Sequence, residues 1–362
     1  MAHVSLKDVA ARSGVSFQTA SKVLNGKGTV AAETRQRILG AAEELGYVPN
    51  ALARGLLSRR TRTIGVVASD FSDTVLSQVV VGVEREARRH GHGVIIGSVD
   101  PEGSDGVRSL HALIERRVDG IVTVAPKLEG DRAFGALLRG PIAAVSTHRV
   151  AGGGVSVVEP DDAGAASLAT RHLAALGHRR IGTITGRGDR RASHARVAGY
   201  RRALAETGIP FDPDLVEEGD WEPEGGYQAG HRLLDRAPDL SAVFVQNDPM
   251  AAGLLAALHD RGRRVPADCA VVGCDNLTLA ARTIPPLTTV AIPLVETGEI
   301  AARLLVGVVE ERAAGRTPEP RRLVLPVGLV YRASSGTPAP GTPAAPRNVA
   351  GTGAASARRP LP

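Results

Sequence analysis

Between Thr63 and Tyr331 short apolar runs alternate with longer amphipathic segments, and this alternation constrains the fold more than any other feature of the chain. TIGVVAS, GVIIGSV and DGIVTVA are separated by VGVEREARRHG and LHALIERRV, whose apolar residues recur at helical spacing. A strand covered by helices on both faces reads as a near-continuous apolar run, so the pattern predicts a parallel sheet flanked by helices. A second set follows in RRIGTITG, SHARVAGYRRALAETG, LSAVFVQND, MAAGLLAALHDRG and CAVVGCDN, so two α/β lobes are expected. The late helical segment VETGEIAARLLVGVVEER implies that the chain crosses between lobes near residues 160, 291 and 323, as three hinge strands.

Residues 5 to 47 follow a different rule. SLKDVAARSG has Ser5 as N-cap, Gly14 after its last turn, and Leu6, Val9 and Ala10 on one face. Ser16 is placed to cap the next stretch, VSFQTASKVLNG, whose Val23 and Leu24 continue an apolar face until Asn25-Gly26 ends it. A third helix, ETRQRILGAAEELGY, presents Ile38, Leu39, Ala42 and Leu45 to close a small core. Helix, tight turn, helix is the expected result.

Charge sharpens the contrast between these two regions. Residues 1 to 62 carry ten basic side chains (Lys7, Arg12, Lys22, Lys27, Arg35, Arg37, Arg54, Arg59, Arg60, Arg62) against four acidic ones (Asp8, Glu33, Glu43, Glu44). This local excess equals the net charge of the whole chain, +6, so a neutral body bears a basic head. A localised basic patch suits a polyanion, because each neutralised phosphate releases counterions.

Other features narrow the class. There is no apolar run of eighteen residues and no secretory signal pattern at MAHVSLKDVA, so a cytoplasmic location is expected. The two cysteines, Cys269 and Cys274, fall on opposite faces of an expected strand and read as buried thiols rather than a disulfide. The histidines are scattered, and His90 and His92 read as solvated. No nucleophile elbow, zinc-binding helix, P-loop or metal-ligand spacing occurs, so neither an enzyme nor a cofactor is implied. The segment after residue 332 is dense in Pro, Ala, Gly, Ser and Thr and is expected to be disordered.

The stretches SLKDVAARSGVSFQTASKVLNG and ETRQRILGAAEELGYVPNALARGL together resemble the headpiece of lactose-repressor-type (LacI/GalR) bacterial transcription regulators. The resemblance continues in order through RTIGVV, LGHRRIGTITG, RVAGYRRAL, FVQND, VVGCDN and LTTVAIP, covering about residues 3 to 332. It implies a small all-α helix-turn-helix headpiece plus an α/β two-lobed effector domain of the periplasmic-binding-protein-like (type I) kind. The implied boundaries are 1–48 for the headpiece, 49–62 for a hinge helix and linker, 63–332 for the effector and dimerisation domain, and 333–362 for the tail. Within the body, the first lobe takes about 63–160 and 293–322, and the second about 161–291 and 323–332.

By this resemblance Phe17, Gln18 and Lys22 read bases in a major groove, while Ser21 and Asn25 hold phosphates or position the helix. Thr19 and Thr34 would touch the DNA backbone, with Ser5, Leu6 and Ser16 also at the DNA surface. In PNALARGLLSRR, Leu56 matches a minor-groove wedge, with Asn50 and Ala53 beside it. Three positions depart from the family pattern. Lys22 stands where arginine is frequent and lacks the planar fork. Ala31 replaces a frequent serine and cannot cap the third helix. Gly55 weakens a hinge helix by about 1 kcal/mol relative to alanine.

The effector is implied to lie between the lobes at the carboxyl ends of strands. RVAGYRRAL supplies Arg196, FVQND supplies Asn247 and Asp248, and VVGCDN supplies Asp275. Trp221 is the chain's only tryptophan and can stack on the apolar face of a pyranose, although core packing is its plainer role. Asp70, Ser72 and Asp73 are weaker candidates from the first lobe. Here the match loosens: Val75 and Leu76 replace two frequent aromatics, Ser146 or Thr147 stands near a frequent aspartate, and Cys274 replaces a phenylalanine.

The resulting expectation is a homodimeric transcription regulator, most often a repressor in this family. It would bind a pseudo-palindromic double-stranded operator under the control of a small-molecule effector, a sugar or sugar derivative. Two alternatives stand beside it: a transport-type solute-binding protein, and a regulator whose nucleobase-type ligand acts as co-repressor. The first lacks an export signal and has no use for a basic head.

Overall fold

A computed structural model describes residues 4–25, 29–48, 60–69, 72–100 and 104–336. The chain divides into two units, Met1–Arg62 and Thr63–Pro362.

The first unit contains α1 (Leu6–Ser13), α2 (Phe17–Leu24) and α3 (Ala32–Glu44). The Ser5 amide and hydroxyl both donate to the Asp8 carboxylate, at 2.8 and 2.7 Å, which sets a negative charge at the positive end of α1. Gly14 ends that helix at φ 66°, a conformation that favours glycine. The Ser16 hydroxyl caps α2 by accepting from the Thr19 amide at 3.2 Å. Ala31 has no oxygen to offer, and α3 begins without a side-chain cap. Val9, Ala10, Ala20, Val23, Ile38, Ala41 and Ala42 form the core of the unit. Leu39, expected inward, is 47% exposed. The buried stripe runs through positions 38, 41, 42 and 45, so Leu39 is one residue off it and Ala41 takes the core place.

The second unit holds two six-stranded sheets. The chain runs through β1 (Thr63–Ala68), α4 (Thr74–Arg89), β2 (Gly93–Ser98), α5 (Gly106–Glu115), β3 (Gly120–Val124), α6 (Arg132–Leu138), β4 (Ala143–Ser146) and β5 (Ser156–Pro160). It then forms α7 (Asp162–Ala175), β6 (Ile181–Thr185), α8 (Arg191–Glu206), β7 (Val216–Glu218), α9 (Pro223–Arg236), β8 (Ala242–Val245), α10 (Asp248–Asp260), β9 (Ala270–Asp275) and β10 (Thr288–Ala291). Last come α11 (Leu294–Ala313), β11 (Arg322–Leu325) and β12 (Gly328–Val330). The first sheet has the order β11-β5-β4-β3-β1-β2 and is parallel throughout. The second has the order β12-β10-β9-β8-β6-β7, with only β12 antiparallel to its neighbour.

Three crossings connect the sheets, between β5 and α7, between β10 and α11, and between β11 and β12. The last lies further along than expected. β11 pairs with β5 in register Leu323↔Val158 and Leu325↔Pro160, satisfying an otherwise open strand edge, so the first lobe extends to Leu325 rather than 322. The second lobe also extends past its expected end. Ala333–Ser335 forms a 3-10 turn with two buried hydroxyls: Ser334 accepts from the Thr288 amide at 2.8 Å and donates to the Val271 carbonyl at 2.6 Å, and Ser335 meets His172 Nε2 at 2.9 Å. Residues 333–336 therefore belong to the second lobe rather than to a disordered tail, because their hydroxyls satisfy buried groups of β9 and β10. Residues 337–362 lie outside the described residues.

Helix α11 returns to the first lobe by packing on α4 through two glycines. A Cβ on Gly82 would sit 2.0 Å from the Val295 carbonyl oxygen, and one on Gly298 would sit 2.0 Å from that of Val79. Only hydrogen fits at both points. Cys269 and Cys274 are buried free thiols in separate apolar clusters. His90 is exposed as expected, but His92 is largely covered, with Nε2 3.9 Å from Asp119. No helix among the described residues is long and apolar enough to cross a membrane.

Candidate nucleic-acid interface and effector cleft

In the first unit, α2 displays Phe17, Gln18 and Lys22 to solvent. Phe17 is 50% exposed, so its ring does not serve the small core below it. Ser21 and Asn25 are half-buried and bonded to each other, the Asn25 amide donating to the Ser21 hydroxyl at 3.2 Å. Thr19 pairs with Ser16 at 2.9 Å between hydroxyls, Thr34 is half-buried, and Ser5 is exposed but tied to Asp8. Leu6 packs against the core. The expected hinge residues Asn50, Ala53 and Leu56, with Gly55, lie outside the described residues, as does Asp70.

In the second unit, Arg196 on α8 is the centre of a buried polar cluster. Its Nε and Nη2 each lie 2.9 Å from Asp162 Oδ1, Nη1 donates to the Gln246 carbonyl, and Nη2 is 3.7 Å from Asp275 Oδ1. The guanidinium carbon stands 5.7 Å from the centroid of the Trp221 ring. Asp162 opens the first helix after the crossing from β5, and Asp275 ends β9, so elements distant in sequence converge on one cation. Trp221 and Asp275 both adopt positive φ, 79° and 108°, which is costly for residues bearing a Cβ and places local strain at this cluster. The indole lies directly against Gly186: a Cβ there would be 2.0 Å from the ring.

Two expected site residues act mainly as braces. The Asn247 side chain accepts from the Met250 amide at 2.9 Å, capping α10, and donates to the Trp221 carbonyl at 2.7 Å. Asp248 accepts from the Thr289 hydroxyl at 2.5 Å and the Leu277 amide at 2.7 Å, tying α10 to the ends of β9 and β10. Asp73 caps α4 by accepting from the Val75 and Leu76 amides, at 2.8 and 3.3 Å, and Ser72 beside it is exposed.

The cluster is rich in carboxyl groups for a single guanidinium. Burial pushes Asp275 well above the ordinary carboxylate range; Arg196 opposes this, while Asp248, Asp73 and Asp162 add to it. Burial also raises Asp248 to about 6 against the pull of the Thr289 and Leu277 hydrogen bonds, and it raises Asp162 against the pull of Arg196. Such a carboxyl-rich cluster favours ligands that donate hydrogen bonds.

Four contributors were not legible in the sequence. Asp162 and Gln246 hold Arg196. Glu129 of the first lobe meets Arg191 of the second, Oε2 to Nε at 3.8 Å, and burial lifts its carboxyl to about 7. His148 is buried with neither ring nitrogen partnered, and desolvation lowers its pKa to about 3. The only sequence signal for Asp162 was its place at the expected crossing near residue 160. Among the described residues, no group of His, Cys, Asp and Glu is arranged to hold a metal.

The profile described as "Bacterial regulatory proteins, lacI family" matches residues 5–50, and that of a "Periplasmic binding protein-like domain" matches residues 170–335. The chain is 37% identical over 342 residues to the HTH-type transcriptional regulator CelR of Thermobifida fusca, covering 91% of this chain and 98% of that protein. It belongs to the lacI family. The architecture agrees with this membership. A solved CelR-cellobiose complex is 36% identical, with a TM-score of 0.70 over 92% of this chain and all of that one. The lac repressor dimer bound to operator and the anti-inducer ONPF is 30% identical, with a TM-score of 0.84 over 93% of this chain and all of that one. These lacI-family relatives are transcriptional regulators, and the helix-turn-helix head and two-sheet body are the parts this chain has in common with them.

Proposed function

We propose that the chain is a cytoplasmic, non-enzymatic repressor that binds a pseudo-palindromic operator as a homodimer and responds to a sugar or sugar derivative between its lobes. The observation that carries this reading is the solvent-facing set Phe17, Gln18 and Lys22 on the second helix of a helix-turn-helix, in a chain similar over nearly its whole length to an operator-bound repressor. Phe17, Gln18 and Lys22 read base edges. Ser21 and Asn25, bonded to each other, steady the helix, and Ser5, Leu6, Ser16, Thr19 and Thr34 line the backbone side. Asn50, Ala53 and Leu56 form the minor-groove element.

A two-fold operator calls for two heads, and an apolar strand edge supports the pairing of two copies. Ile95 and Ile96 on β2, the free edge of the first sheet, are exposed, as is Val81 on α4. In the cleft, Arg196 and Asp275 bond ligand hydroxyls and Trp221 covers an apolar sugar face, while Asp73 and Ser72 approach from the first lobe. Asn247 and Asp248 hold this constellation in place. A surplus of carboxyl groups favours a hydroxyl-rich ligand over an anionic one.

Selection of duplexes from a random library with the full-length protein tests the first half of the proposal. Enrichment of a pseudo-palindrome that a member of a sugar panel releases is the expected outcome. Retention of random duplexes without a common sequence would overturn it.

A further inference from the structure

A cavity of about 400 Å³ is lined by Arg149, Arg191, Arg321 and Arg322 over an apolar floor of Val150, Val155, Val157 and Pro320. The fold alone assembles it: Arg149 follows β4, Arg321 and Arg322 lie at the start of β11, and Arg191 opens α8 in the other lobe. It sits by the β11 edge of the first sheet, opposite the apolar β2 edge. The charges are only partly matched. Glu159 serves both Arg322, at 2.6 Å, and Arg149, at 3.6 Å. Glu129 serves Arg191 at 3.8 Å, and its carboxyl, lifted to about 7 by burial, is only partly ionised near neutral pH. Among the described residues, no carboxylate lies within ion-pair distance of the Arg321 guanidinium.

We infer that this cavity is a binding site for a phosphate-bearing metabolite, held by several guanidinium forks and clasping the two lobes. Planar guanidinium groups address phosphate oxygens at two points, and a cavity of this volume suits a small organic phosphate rather than a polymer. Because Arg191 comes from the second lobe and the other three arginines from the first, the ligand favours the lobe arrangement seen here. By linkage, it would also bias any other equilibrium that moves the lobes. None of the cavity's lining residues contacts the Arg196 guanidinium, although Glu129 and Glu159, which serve its arginines, both feel Asp162.

Calorimetry on the full-length protein tests the inference with inorganic phosphate, glucose 6-phosphate and glucose, against chloride at matched ionic strength. Phosphate or the phosphate ester binds, and Arg149→Gln/Arg321→Gln weakens that binding at least tenfold, while Trp221→Phe leaves the affinity for inorganic phosphate unchanged. Tighter binding of glucose 6-phosphate than of phosphate identifies an ester as the ligand; equal binding identifies free phosphate, with the same recognition. Should the double variant fail to fold, Arg321→Gln alone, which breaks no ion pair among the described residues, should still lose several-fold. No preference over chloride, an unchanged affinity in the arginine variants, or a loss confined to Trp221→Phe would overturn the site.

Discussion

Arg196 places two of its nitrogens 2.9 Å from one oxygen of Asp162, so the helix that begins the second lobe is fastened to the helix 34 residues further on by an ion pair that is buried on the arginine side and partly exposed on the aspartate side. The same guanidinium reaches Asp275 and faces Trp221. Removing one partner of such a pair strands the other in a poorly solvated place. Arg196→Ala is therefore expected to destabilise the body by about 3–5 kcal/mol and to blunt the effector response. Denaturant unfolding and ligand titration measure the two effects. A variant as stable as the parent would show that Asp162 is solvated.

Glu129 supplies a pH dependence of definite sign. In the folded protein its carboxyl keeps a proton up to about 7, whereas the unfolded chain releases it near 4.5. The folded state binds more protons between those values, so this contribution is full below 4.5 and is lost as pH rises to 7. Glu129→Gln is expected to remove that decline and to be more stable than the parent near pH ~8, by on the order of a few kcal/mol. Parallel pH profiles of stability for variant and parent would refute the assignment.

His148 acts in the opposite direction. Burial keeps its imidazole neutral down to about 3, while the unfolded chain takes up a proton near 6.5. Stability is whole above 6.5 and declines as the pH falls toward 3, because only the unfolded state is protonated there. His148→Leu is expected to lessen acid lability relative to the parent, read as a lower midpoint pH of acid unfolding. An unchanged midpoint would mean that the ring is not buried in solution.

The crossing of α4 and α11 tolerates no side-chain carbon. Gly298→Ala would press a methyl onto the Val79 carbonyl and is expected to cost about 1–3 kcal/mol through separation of the two helices. Alanine at Gly307 of the same helix, where a Cβ would meet nothing, provides the control and should be neutral or stabilising. Equal stability of the two variants would argue against close packing.

The sequence by itself determined whatever depends on neighbours along the chain. Ser5, Gly14 and Ser16 mark helix ends through local backbone hydrogen bonds, and the apolar runs at 63–68, 120–124 and 270–275 are strands because both of their faces are buried. Leu39 escaped that logic by a single residue, since a 3.6-residue repeat leaves the edge of a buried stripe ambiguous in a three-helix core. The tertiary structure decided which distant segments meet. Asp162 beneath Arg196, Glu129 against Arg191, and arginines 149, 321 and 322 around one cavity with 191 are joined by packing of helices and by the pairing of β11 with β5. Such meetings depend on distances through space between segments tens to more than a hundred residues apart, and the strength of each charge pair depends on burial that no local pattern encodes.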